Sequence, residues 1–231
     1  MKNVFLTLFI LATGVFGLQA QKTVQGTVEY KYTISGEGSE MMAGMMPEKM
    51  VVVYGKNAMM TYMEGGMMAG MMGKVIVNNG KGYVIKEDKE TIYNMSEEDM
   101  KNAEAQQEAQ TGKATKVDDK TKEIMGYNCQ LYQIEVTQNG QKSMQNIWVT
   151  KELKAPEMKG AGATSMNQGM LGATDIDGFP MEVEVNIPQT TMKMVLSVTD
   201  LDMKKPDPAM FAKPEGFTEK PFSEMMKAGG F

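Results

Sequence analysis

The chain contains no histidine and no arginine, and cysteine and tryptophan occur once each in its 231 residues. The missing histidines remove the commonest general base and the commonest metal ligand. Without arginine there is no planar fork to grip a phosphate or carboxylate through two parallel hydrogen bonds. A lone cysteine, Cys129, excludes an internal disulfide, so packing has to stabilise the fold. Positive charge is not in surplus: 24 lysines face 29 acids, a net of −5, which lacks the basic footprint of a nucleic-acid binder. Long apolar runs are also missing, since the stretch from Val4 to Phe16 is well short of the roughly 20 residues needed to cross a bilayer core of about 30 Å.

That stretch has another reading. Met1-Lys2-Asn3, the apolar run and then Gly17-Leu18-Gln19-Ala20 follow the plan of a secretory leader, with cleavage expected after Ala20. Gln21 stands where a bacterial lipoprotein would carry its lipidated cysteine. The expected product is a periplasmic or secreted protein with one β-rich domain over residues 21–220 and a short tail at 221–231.

What the chain has in abundance is methionine, 27 residues of it. The hexapeptide Met-Met-Ala-Gly-Met-Met occurs at Met41 to Met46 and again at Met67 to Met72. Methionine offers either a pliable apolar surface or a soft thioether ligand.

Strand-like alternation begins at Val24 and runs through Val28, Tyr30, Tyr32 and Ile34. A loop carrying the first hexapeptide follows, then strands at Lys49 to Tyr54 and Asn57 to Met63. The second hexapeptide precedes strands at Val75 to Val77, Gly82 to Ile85 and Thr91 to Asn94, with Asn78-Asn79-Gly80 as a tight turn. Ser96 followed by Glu97-Glu98-Asp99 predicts a helix reaching Gln110, with so few apolar residues that it packs weakly on the outside. Further hairpins are expected from Asn128 to Val136 with Ser143 to Thr150, and from Met181 to Ile187 with Met192 to Val198. Between these pairs, Lys159 to Asp177 has no period and reads as a loop or short helix. The tail around Pro206, Pro208 and Phe211 reads as turns about a small apolar anchor. About nine or ten antiparallel strands with one main helix imply a mainly β (α+β) fold, a strongly curved antiparallel sheet or open half-barrel.

The order Ile124-Met125-Gly126-Tyr127-Asn128-Cys129, Ile147-Trp148-Val149-Thr150-Lys151-Glu152, Gly178-Phe179-Pro180-Met181 and Pro214-Glu215-Gly216-Phe217 resembles an uncharacterised family of exported bacterial domains. That family resembles the lipoprotein carriers LolA and LolB. The resemblance covers most of residues 22–220. It implies an incurved antiparallel sheet closed by helices or loops over an apolar cavity. It supplies no agreed activity, and the arginine that helps hold the carrier lid closed has no arginine counterpart here.

In a helix, Met41, Met42, Met45 and Met46, or Met67, Met68, Met71 and Met72, would gather on one side and mould around an acyl chain or a partner's apolar helix. These eight residues and Trp148 are the candidate ligand-binding set. Beside this stands the plainer alternative that the methionines fill irregular core or low-complexity loops. A Cu(I) or Ag(I) site built from Met59, Met60 and Met63, or Met192 and Met194, is the rival chemistry, and an envelope protein-interaction module is a third reading. Asp175-Ile176-Asp177-Gly178 lacks the remaining oxygens of a calcium loop. Cys129 has no histidine to activate it, and the paired carboxylates are explained by a helix start and a polar strand face. The reading is therefore a non-catalytic binding protein for a hydrophobic small molecule or lipoprotein acyl chain, without cofactor, catalytic residue or nucleic-acid partner.

Overall fold

Alternating side chains decide how this chain pairs. The computed structural model describes residues 21–110, 112–138, 140–158 and 176–227. The leader with Ala20, and residues 159–175 of the aperiodic stretch, lie outside the described residues. The first elements are β1 (Lys22–Thr23), β2 (Gly26–Ser35), α1 (Ser39–Ala43), β3 (Lys49–Tyr54), β4 (Ala58–Glu64) and α2 (Gly66–Met72). Then come β5 (Lys74–Asn78), β6 (Lys81–Lys86), β7 (Thr91–Met95), α3 (Glu97–Gln110), β8 (Thr115–Ile124), β9 (Tyr127–Gln138) and β10 (Gln141–Thr150). The last are β11 (Leu153–Lys154), β12 (Phe179–Asn186), β13 (Lys193–Asp202), β14 (Thr218–Pro221) and α4 (Phe222–Lys227).

Twelve strands form one sheet in the order β14-β7-β6-β5-β4-β3-β2-β13-β12-β10-β9-β8. Neighbours are antiparallel except β14, which lies parallel to β7, and a separate parallel pair joins β1 to β11. Local chemistry explains several of the joints. Asn79 and Gly80 have φ of 50° and 78°, the left-handed pair that a two-residue hairpin turn requires. Ser96 Oγ accepts from the Asp99 amide at 3.0 Å while Asp99 Oδ2 accepts from the Ser96 amide at 2.8 Å, a reciprocal cap that starts α3.

Two differences from the sequence reading have physical causes. β8 carries no strand signal, because its charged run Thr115–Ile124 has no apolar period; an edge strand pairs on one side only and needs no buried face. The C-terminal stretch read as turns and tail includes a 3-10 segment, Pro208–Phe211, then β14 and α4, with Phe211 and Met225 both buried.

The sheet curls strongly. Along it, β7 and β9 are nine strand spacings apart, about 43 Å at about 4.8 Å each. Yet α3, whose 14 residues span about 21 Å, touches both strands, and the Gly112 amide just beyond it donates to the Glu135 carbonyl at 2.7 Å. The helix is therefore a strap across the opening of a half-barrel. On the face it straps, Tyr54 of β3 and Phe179 of β12 meet edge to face at 6.0 Å between ring centroids, although β2 and β13 separate their strands. Side chains that converge in this way mark the concave face. Its core runs through Val28, Tyr30, Val52, Ile147, Met181 and Val198. Residues 51, 53, 58, 60, 76, 83, 85 and 92 form a second cluster on the convex side of β3 to β7, capped by Phe211.

Candidate functional site

Antiparallel order places the β2–β3, β4–β5, β6–β7, β9–β10 and β12–β13 connections at one end of the sheet. The two methionine hexapeptides occupy the first two of these. Going toward that end, the concave wall changes from closed to open: Tyr30 and Met181 are fully buried, whereas Tyr32, Met63, Tyr132, Val136 and Val185 are half-buried. Pairing sets Tyr132, Ile147, Val183, Leu196 and Tyr32 in one lateral row, and Ile34 and Met194 extend the next row outward. The sequence reading does not single out this apolar mouth, because ordinary strand alternation is all that announces it. Within the wall, Thr61 is buried and its Oγ1 meets no hydrogen-bond partner among the described residues.

The first hexapeptide, expected in a loop, is helical through Ser39–Ala43, and the second is helical through Gly66–Met72. Tertiary contact joins them: the Met68 amide donates to the Met45 carbonyl at 3.0 Å. Gly66, at φ of 65°, makes the join possible, because a Cβ there would strike the Met46 carbonyl. α1 packs on β2 and α2 on β4. None of the eight methionines is buried. Met42, Met46 and Met72 are half-buried, whereas Met41 is 81%, Met67 69% and Met71 52% exposed, with Met45 and Met68 also exposed.

A buried lysine pins α2. Lys86 Nζ donates to the Gly70 carbonyl at 3.0 Å and to the Met71 carbonyl, satisfying two groups that the helix end leaves open. Burial lowers the Lys86 pKa, while the negative end of the helix favours the cation. Lys86 thus ties the end of α2 to β6.

Trp148 is not brought to the methionines. Alternation along β10 turns it to the face opposite Ile147, where its Nε1 donates to Glu184 at 2.9 Å and Lys122 Nζ lies 4.3 Å from the ring centroid. Lys122 also pairs with Glu182, and Lys193 with Glu184 at 2.6 Å. Burial pushes the Glu184 pKa upward, but hydrogen bonds from Lys193, Trp148 and Asn146 prevail and hold it at about 2. This is a satisfied polar network rather than part of an apolar site.

Two of the chemical rivals, a Cys129 nucleophile and a soft-metal site at Met59, Met60 and Met63, lose geometric support. Burial pushes the Cys129 thiol up to about 11, away from the thiolate needed for attack. Met59 belongs to the concave cluster and Met60 to the convex one, and Met63 is about 13 Å along the strand from Met59, so these three sulfurs do not surround one ion. No cluster of three or more His, Cys, Asp or Glu suited to a metal occurs among the described residues.

These features define a curled-sheet protein with an apolar concave wall and short helices at its mouth, the architecture implied by the resemblance to lipoprotein carriers. The chain belongs to the family described as Domain of unknown function (DUF4412), whose model matches residues 13–217. No curated protein matches it. Among solved structures it is similar to the Mycobacterium tuberculosis lipoprotein LppX, with 10% identity over 78% of this chain and 90% of that one and a TM-score of 0.35. An uncharacterized conserved protein from Thermus thermophilus is similar at 7% identity, covering 84% and 90% of the two chains, with a TM-score of 0.41. A LolA superfamily protein from Nitrosomonas europaea is similar at 9% identity, covering 84% and 94%, with a TM-score of 0.32. At such scores the assignment of architecture rests on the sheet itself.

Proposed function

We propose that this protein is an exported, non-catalytic carrier for a ligand with an acyl-like apolar part, a lipid or the acyl chain of a lipoprotein, held against the concave wall. The observation that carries the reading is the gradient along that wall, from a fully buried base to a half-buried apolar mouth at the end where both methionine helices sit. Met42, Met46 and Met72, the half-buried members of the hexapeptides, supply adaptable thioether surface at the same end of the sheet as Tyr32, Met63 and Val185. Thr61 leaves one hydroxyl in the wall for a ligand carbonyl or hydroxyl. Export rests on the leader from Met1 to Ala20.

Native mass spectrometry and lipid extraction of protein purified from its own envelope fraction test this reading, together with uptake of a fluorescent fatty acid. Co-purifying lipid and saturable uptake are expected. Protein that arrives empty and takes up no fatty acid overturns it.

A further inference from the structure

The eight hexapeptide methionines divide by exposure, and the outward five form a surface of their own. Met41 and Met45 of the first segment and Met67, Met68 and Met71 of the second are exposed, and the Met68 to Met45 backbone bond brings the two segments together. Among the described residues the space beside it is open at two points: a Cβ added at Gly44 or Gly70 would meet no atom within 4 Å. Its surroundings are acidic. Residues 36–49, 63–74 and 86–90, around three of the five connections at this end of the sheet, hold seven carboxylates and four lysines. Three of those lysines are occupied, Lys49 by Glu29 and Glu64, Lys74 by Glu87, and Lys86 by the end of α2. Glu37, Glu40, Glu48, Asp88 and Glu90 make no ion pair among the described residues.

Placement ties the acids to the methionines. Glu40 is in the first turn of α1, Glu48 packs against Gly65 at the start of α2, and Asp88 lines a cleft of about 300 Å³ with Ala69 and Gly70. We infer that this acid-rimmed methionine platform is a docking surface for a cationic amphipathic helix of a partner protein. Flexible thioethers accept an apolar helix face without demanding a particular side-chain shape, and the carboxylates select basic residues along its flanks. The same rim repels an anionic membrane surface and a second copy of itself. The inference does not depend on what fills the concave wall.

The test uses the full chain and a labelled helical peptide of roughly 14 residues with leucines on one face and lysines on the other. Fluorescence anisotropy should show saturable binding that weakens as ionic strength rises from about 0.01 to about 0.1 M, because the screening length falls from about 30 to about 10 Å. A matched leucine and glutamate peptide should fail to bind. The triple reversal Glu40→Lys, Glu48→Lys, Asp88→Lys should weaken binding at least about tenfold and leave fatty-acid uptake unchanged. Replacing the five exposed methionines by glutamine should weaken it similarly. Equal binding of both peptides, indifference to the charge reversal, or binding to phosphatidylglycerol vesicles in place of the cationic peptide overturns the inference. So does concentration-dependent self-association through the platform, seen by sedimentation and lost in the glutamine variant.

Discussion

At the scale of single residues, two charged side chains in this β-rich chain have tasks that composition does not announce. Lys86 follows the apolar stretch Gly82 to Ile85 and looks like the polar end of a strand, yet it is buried and holds α2 by two carbonyls. Lys86→Met keeps most of the volume and strands those carbonyls, so a loss of about 1–3 kcal/mol in urea unfolding is expected, with faster amide exchange across residues 66–72. Unchanged exchange there would show that α2 is held by other contacts. Glu184 yields a pH prediction. Its folded pKa of about 2 lies below the ordinary 4.5, so its stabilising contribution is complete above pH 4.5 and drains away as pH falls toward 2. Glu184→Gln is expected to lower stability at neutral pH and to flatten the pH dependence across that window, as read from thermal midpoints taken at intervals of pH.

At the scale of elements, the hairpins were legible and the helices at the mouth only conditionally so. Alternation locates most strands because one face must be buried, and Asn79-Gly80 marks its turn by backbone conformation alone. α1 and α2 bury no residue, so no apolar stripe could reveal them; their hold comes from the Met68 to Met45 bond, the Lys86 cap and the sheet beneath. Replacing residues 66–72 by a Gly-Ser segment of equal length is therefore expected to leave far-ultraviolet circular dichroism of the sheet intact and to weaken fatty-acid uptake about tenfold, or about 1.4 kcal/mol. Should the replacement unfold the protein instead, the methionines serve packing after all.

At the scale of the whole molecule, the curl of the sheet is the property on which any interior site depends. It is held where distant strands meet, by α3 bridging β7 and β9 and by the Tyr54 and Phe179 rings. Tyr30 adds a hydrogen bond from its hydroxyl to the Pro180 carbonyl at 3.1 Å. Phe179→Ala is expected to cost about 3–5 kcal/mol, since the ring is fully buried and its neighbours come from strands that cannot all follow it inward. A urea titration showing a loss below about 1 kcal/mol would place the origin of the curl elsewhere.

Sequence alone determined the kinds of chemistry open to this chain and the strands from which it is built. Absent histidine and arginine act at every position at once, and a two-residue period reports burial of a strand face wherever that strand ends up. Tertiary structure decided which strands meet across the concave face, that Trp148 lies on the other side, and that residues 41–46 and 67–72 form one divided surface. The reason is physical. Pairing order, curl and the Met68 to Met45 bond are contacts between segments remote along the chain, and no local period encodes the partner of a surface that buries nothing of its own.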